Sequence, residues 1–121
     1  MPVVELRLAH RAASDEDEDR YDIVSGEGTV VGNLHTWSNS DGERGIAGIG
    51  VPPELLRRGY GRGAIEALFR SDPSLQCLSG ESTAGGEPFW EALGCRWLAE
   101  HHDGTYRDFE LDRIRVLEAG E

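Results

Sequence analysis

The sequence predicts an α/β fold (in the α+β sense), rich in strands and sparing with helices. Three observations carry this. Short segments of alternating or continuous apolar character recur along the chain, separated by turns rich in glycine, serine, asparagine and aspartate. Two segments place apolar residues and helix-ending signals as a helix does. All of this fits within 121 residues, enough for one core, so a single domain over residues 1–121 is expected.

Val3–Leu8 (VVELRL) alternates in polarity and reads as the first strand. Ala9–Arg20 contains SDEDED, and like charges packed this densely resist both helix and strand, which predicts an acidic solvated loop over residues 9–20. Tyr21–Val24 is the next strand and Ser25–Gly28 (SGEG) a turn. Thr29–Ser38 (TVVGNLHTWS) is a longer strand, and NSDGE turns the chain into Arg44–Val51 (RGIAGIGV). Such tight connections make these three strands an antiparallel meander. A helix is predicted from about Gly61 to Arg70, because Ile65, Leu68 and Phe69 share one face and Ser71-Asp72-Pro73 ends it. Leu75–Ser79 (LQCLS) reads as a buried strand. Glu87–Leu93 is a short helix, with Pro88 suited to its first turn and Gly94 to its C-terminal cap. Cys95–Glu100 and Thr105–Leu111 are strands that close around Asp103-Gly104.

Composition excludes several classes of function. The net charge is -11, from 23 acidic and 12 basic residues, so the surface repels nucleic acid and anionic membrane and favours cationic partners. No apolar run approaches the length of a membrane span, and MPVVELRLAHR lacks the pattern of a secretory signal. Cys77 and Cys95 lie in apolar segments without a C-x-x-C spacing, which predicts buried thiols and a cytoplasmic location. His101 and His102 are adjacent on a predicted strand and face opposite sides, so no metal site is expected there. A serine hydrolase is excluded by the absence of G-x-S-x-G.

The chemistry concentrates in VPPELLRRGYGRGAIEALF, Val51–Phe69, where three of the twelve basic residues stand among three glycines. A strand ends at Val51 and a helix begins near Gly61. The start of a helix carries unpaired N–H donors and partial positive charge, which suit phosphate oxygens. Glycines allow the backbone to approach a ligand closely, and Arg57, Arg58 and Arg62 add charge-assisted contacts. A cofactor bearing pyrophosphate follows. It is not the nucleoside triphosphate of a P-loop, which needs a lysine the chain does not have, and the early G-x-G-x-x-G of a dinucleotide fold is missing.

The segment resembles the acyl-CoA-binding motif of the GNAT superfamily of N-acyltransferases. That motif has a valine ending a strand, a proline two residues on, then R/Q-x-x-G-x-G/A opening a helix. Val51, Pro53 and Gly59-Tyr60-Gly61 fall in register, with Leu56 at the R/Q position and Arg57 and Arg58 directly after it. A shifted register, Arg58-x-x-Gly61-x-Gly63, satisfies the motif literally but fits the upstream Val-Pro spacing less well. A second motif of the superfamily resembles F-Y-x-x-L-G-F, matched here by Phe89-Trp90-Glu91-Ala92-Leu93-Gly94-Cys95.

The resemblance covers roughly Tyr21–Leu111 and implies a mixed, mostly antiparallel, twisted sheet splayed into a V, flanked by few helices. Acyl-CoA, acetyl-CoA above all, would lie in the opening. The strand end Gly50-Val51 would hydrogen-bond the pantetheine like an added strand. The loop from Arg57 and Arg58 through Gly59, Tyr60 and Gly61 to Arg62 and Gly63 would hold the pyrophosphate. Phe89 and Trp90 would flank the pantetheine arm, Phe89 packing in the core and Trp90 lying partly at the site.

Two departures bear on catalysis. The superfamily's tyrosine acid is replaced by Trp90, whose indole N–H does not deliver a proton as a phenol does. Its glutamate base, six residues before the strand-ending valine, is replaced by Gly45. Glu43, two residues earlier and on the same side of a continuing strand, is one substitute. Glu81, in the loop expected after Leu75–Ser79, is another, and His35 is a third. The 9–20 segment is too short for the helices that usually wall the acceptor site. That cleft should stand open, or be closed by a second copy in a homodimer. The implied function is transfer of an acyl group to the primary amine of a cationic small molecule. The alternative is a catalytically weak or inactive CoA-binding or protein-interaction module.

Overall fold

A computed structural model describes residues 4–10, 19–38, 43–55, 59–83, 86–100 and 106–118. Its elements run β1 (Val4–His10), β2 (Asp19–Ser25), β3 (Val30–Ser38), β4 (Glu43–Gly50), a 3-10 turn at Pro53–Leu55 and α1 (Tyr60–Ser71). They continue with β5 (Cys77–Thr83), α2 (Glu87–Ala92), β6 (Arg96–Glu100), β7 (Tyr106–Asp112) and α3 (Arg113–Glu118). The seven strands form one sheet in the order β1-β2-β3-β4-β5-β7-β6. Every pairing is antiparallel except β4 with β5. The meander expected of β2, β3 and β4 is present.

The parallel pairing is short. Glu43–Ile46 align with Cys77–Gly80, and the register then stops. Beyond it β4 stays paired to β3 through Gly48, Ile49 and Gly50, while β5 stays paired to β7 through Glu81, Ser82 and Thr83. The two halves of the sheet part at this point, which is the V-shaped splay. A bulge at Ala47, between the pairs Thr36↔Ile46 and His35↔Gly48, adds a bend to β4 where it leaves β5.

One face of the sheet carries the core. Ala64, Ile65, Leu68 and Phe69 of α1, Trp90 of α2 and Val116 of α3 join a single cluster with Ile23, Leu34, Ile46, Leu78, Phe109 and Leu111. Ile65, Leu68 and Phe69 occupy the face that their spacing predicts. The other face, which carries Trp37, Glu43, Cys77, Glu81, Asp108 and Glu110, is covered by none of the described helices.

Three boundaries differ from expectation. β1 runs on to His10 and β2 begins at Asp19, so the predicted loop gives up both ends to the sheet; residues 11–18 lie outside the described residues. Asp19 is tolerated in a strand because Arg44 stands 3.7 Å from it. The strand expected at Leu75–Ser79 is β5, shifted to Cys77–Thr83, which turns Glu81 and Ser82 from loop residues into strand residues. Its polar end GEST borders the splay, so it lacks the apolar pattern of a strand buried on both sides. The third difference is α3, which follows β7 directly.

Arg113 explains why α3 is there. Its guanidinium donates to the carbonyl oxygens of Phe69 at 2.6 Å, Asp72 at 3.1 Å and Leu75 at 3.1 Å. These carbonyls end α1 and the turn after it, where acceptors lack helical partners and positive charge is favoured. Replacing Arg113 with alanine should lower the unfolding free energy by about 1–3 kcal/mol, the usual cost of orphaning acceptors bonded to a charged group. Urea denaturation checks this, and an unchanged midpoint would show that water replaces the guanidinium at no cost.

Candidate active site

The splay opens into a cleft of about 490 Å³. β4 forms one wall from Ile46 to Ile49, continuing to Val51, and Glu81 and Ser82 of β5 form the opposite side. The N-terminus of α1 (Gly59 to Arg62) and the start of α2 (Gly86, Phe89, Trp90) close the side facing the helices.

Gly59 is the residue before α1 and has φ 85, in the left-handed region that glycine adopts without strain. The first intrahelical bond runs from Gly63 N–H to the Gly59 carbonyl at 2.9 Å. The N–H groups of the preceding turn therefore have no intrahelical acceptor and border the cleft. No acidic residue occupies that first turn. Arg62 lines the cleft while its Nε donates to Glu66 at 3.2 Å and Nη1 to the Ala92 carbonyl at 3.4 Å, which ties α1 to the end of α2.

Gly61 has a different reason to be glycine. A Cβ there would lie 2.9 Å from Cε1 of Phe89 and 3.2 Å from its Cζ. The ring of α2 thus rests directly on the first turn of α1. From Phe89 a chain of aromatic contacts runs inward. Phe89 meets Trp90 edge-on at 4.8 Å, Trp90 stacks on Phe109 at 4.2 Å, and Phe109 meets Trp97 edge-on at 6.3 Å. Arg107 sits 4.5 Å over the Trp97 ring and binds Glu87 at 2.9 Å, fixing the start of α2. Both aromatic residues line the cleft and both pack on the core. Trp90 is the more buried, at 5% exposed, and Phe89 is half-buried. Trp90 is drawn inward because Phe109 offers a ring to stack on.

The remaining candidates fall as follows. β4 ends at Gly50, and Val51, the next residue, lies in the cleft wall. Tyr60 lines the cleft and Gly63 lies one turn into α1. Arg57 and Arg58 lie outside the described residues, as do His101 and His102. Glu81 is exposed and lines the cleft. Glu43 begins β4 beyond the closed end of the splay. Its carboxylate stands with Cys77 and Glu110, one donor atom from each lying within 4.8 Å of the others, and it is not part of the cleft lining. His35 lies opposite Gly48 on the open face. Trp37 is a residue that no sequence motif singles out. Its ring fills the space over Gly45, where a Cβ would overlap indole Nε1 and Cδ1.

Both thiols are half-buried, not buried as expected. Burial, with the Glu110 carboxylate at 3.5 Å next, pushes Cys77 up to about 11, and burial also raises Cys95. Alkylation of Cys77 by iodoacetamide at neutral pH should be slower than that of free cysteine and should accelerate only as the pH nears that value. Labelling as fast as the free amino acid would contradict this.

No protein-family model matches the sequence, and none of the curated proteins does. Solved structures do. A Bacillus subtilis acetyltransferase in complex with CoA superposes with a TM-score of 0.66 at 13% identity, over 90% of this chain and 98% of that one. Mutant forms of the spermidine/spermine N-acetyltransferase SpeG from Vibrio cholerae give 0.65 at 15% identity, over 88% and 71%. A GNAT-family acetyltransferase from Staphylococcus aureus gives 0.63 at 8% identity, over 79% and 68%. The fold is that of the GNAT acetyltransferases. Within the GNAT fold, the parallel β4–β5 pair and its splay are the elements that shape the cleft, and both follow from the register of this chain. Identities this low speak to fold, so the chemistry must be argued from the site.

Proposed function

We propose that the chain is an acyl-CoA-dependent N-acyltransferase that moves an acetyl group to the primary amine of a cationic small molecule. The observation that carries this reading is the cleft itself. A strand edge freed by the splay, an uncapped helix N-terminus and Arg62 line one opening. These groups suit the three parts of acyl-CoA. The unpaired edge of β4 between Ala47 and Gly50 offers backbone donors and acceptors to the pantetheine amides. The first turn of α1 offers N–H groups and positive potential to the pyrophosphate. Phe89 and Ile49 offer apolar contact to the arm between them.

In the proposed reaction the amine nitrogen attacks the thioester carbonyl. The C–N bond forms, the C–S bond breaks, and the sulfur leaves as the CoA thiolate. An ammonium acceptor must first lose a proton, and Glu81 is the carboxylate in the cleft to receive it. With an indole in place of a phenol at position 90, the thiolate takes its proton from solvent. Incubation with acetyl-CoA and a panel of amines, following release of free CoA, tests the reading. Amine-dependent release is the expected result, and release with no amine in the panel would speak against it.

One observation favours a second reading, a GNAT-fold protein that binds acyl-CoA without turnover. The position of the superfamily's glutamate base is occupied by Gly45, and the space above it by Trp37. In the same assay this reading predicts CoA binding without amine-dependent release.

A further inference from the structure

The open face of the sheet carries an indole where the cleft closes. Trp37 pairs with Gly45, and Gly45 pairs with Ser79, one step before the last β4–β5 pair, Ile46↔Gly80. Trp37, Gly45 and Ser79 thus form a row across the sheet at the apex of the V. The indole stands at one end, and two residues with little side-chain bulk form the floor. Packing on Gly45 does not bury the ring, which remains 42% exposed. Glycine is the only residue that leaves room for this arrangement.

On the acyl-transfer reading, this is the side on which a bound thioester would meet its acceptor. The helix N-terminus that suits the phosphates lies on the core side of the sheet, and the core fills the space behind it. A ligand anchored there and threaded between β4 and β5 emerges at the open face, where Glu81 borders the cleft. Two carboxylates share this face on the neighbouring strands. Glu43 stands two residues from Gly45 in one direction, and Glu81 stands two residues from Ser79 in the other. Both are exposed. An exposed indole attracts an alkylammonium through the negative face of its ring, and carboxylates on the same face add to the attraction. A neutral chain of the same length gains neither, and an anion is repelled.

We infer that Trp37 is the specificity-determining platform for the acceptor, selecting primary alkylammonium groups over neutral chains of equal length. The inference rests on the acyl-transfer reading of the cleft. It adds the residue that recognises the amine and explains why position 45 carries no side chain: the space belongs to the platform.

Calorimetric titration separates the two ideas. Putrescine and its diol analogue butanediol are titrated into the wild type, Trp37→Phe and Trp37→Leu, and CoA is titrated separately into each. The expected result is putrescine binding that weakens about tenfold in Trp37→Leu and less in Trp37→Phe, which keeps a smaller ring. Butanediol should not bind measurably, and CoA affinity should be equal in all three proteins. The platform is overturned if Trp37→Leu binds putrescine as the wild type does, if butanediol binds as well as putrescine, or if the wild type binds CoA but not putrescine. In that last case the cleft reading stands. Putrescine binding that depends on Trp37 in a protein that does not bind CoA would support the platform and refute the cleft reading. Equal CoA affinity in the two variants also reports that they fold.

Discussion

Replacing Glu81 with glutamine is expected to lower the turnover of acetyl transfer by about 100-fold or more, the usual contribution of a positioned base. The KM for acetyl-CoA should stay within about twofold, because none of the groups assigned to the cofactor is altered. The change is isosteric and at an exposed strand position, so stability should hold. The pH dependence gives a second readout. Since the ammonium must lose its proton before attack, the wild-type rate should climb with pH and show no descending limb up to about pH 9. Glu81→Gln should lower the rate and steepen that climb, since only amine already deprotonated in solution then reacts. Glu43→Gln should leave it intact, because Glu43 stands with Cys77 and Glu110 outside the cleft lining. If Glu43→Gln abolishes the rate and Glu81→Gln does not, the assignment of the base is wrong. If neither variant changes it, solvent deprotonates the amine.

Replacing Gly61 with valine is expected to weaken CoA binding at least tenfold, about 1.4 kcal/mol. The added Cβ would lie 2.9 Å from Phe89, closer than carbon atoms pack, so either the ring or the helix must move. Phe89 is the freer of the two, being half-buried against the cleft, and its displacement narrows the space for the pantetheine. Two further branches of the valine crowd the same helix turn whose N–H groups are proposed to hold the phosphates. The melting temperature should fall only modestly, since the fully buried residues of α1 begin at Ala64. A steep loss of stability with undiminished affinity per folded molecule would make the glycine structural alone.

The contrast between Gly61 and Gly59 shows how far the sequence can be read. Both glycines stand out in GYGRG, and both are expected to matter for close approach or for positive φ. The structure divides the reasons: Gly59 has φ 85, and Gly61 has Phe89 against it. The first is a local requirement that a sequence pattern can carry. The second depends on a residue far along the chain, and no local pattern encodes it. The same distinction separates the elements that are legible from those that are not. The helix over Ile65, Leu68 and Phe69 and the Gly94 cap, with φ 87, follow from spacing and backbone preference. The short α3 does not, because what fixes it is the reach of Arg113 to carbonyls at Phe69, Asp72 and Leu75. The polar end of β5 reads as loop in the sequence because its hydrogen-bonding partner, β7, lies further along the chain and its other edge faces the cleft. Trp37 over Gly45 needs the β3–β4 register, and the bulge at Ala47 shifts that register by one residue. Of the candidate site, the residues proposed for the cofactor stand largely in one local motif, whereas those proposed for the acceptor are brought together across strands.

Amide hydrogen exchange with and without CoA tests the central claim most directly, since it reports both binding and place. CoA in large excess should slow exchange along Ala47–Val51, where β4 offers its free edge, and along Gly59–Gly63, where α1 begins. β1 and β2, remote from the cleft, should exchange as before. Unchanged exchange in both segments, or protection confined to elements outside the splay, would contradict the assignment of the cleft to acyl-CoA.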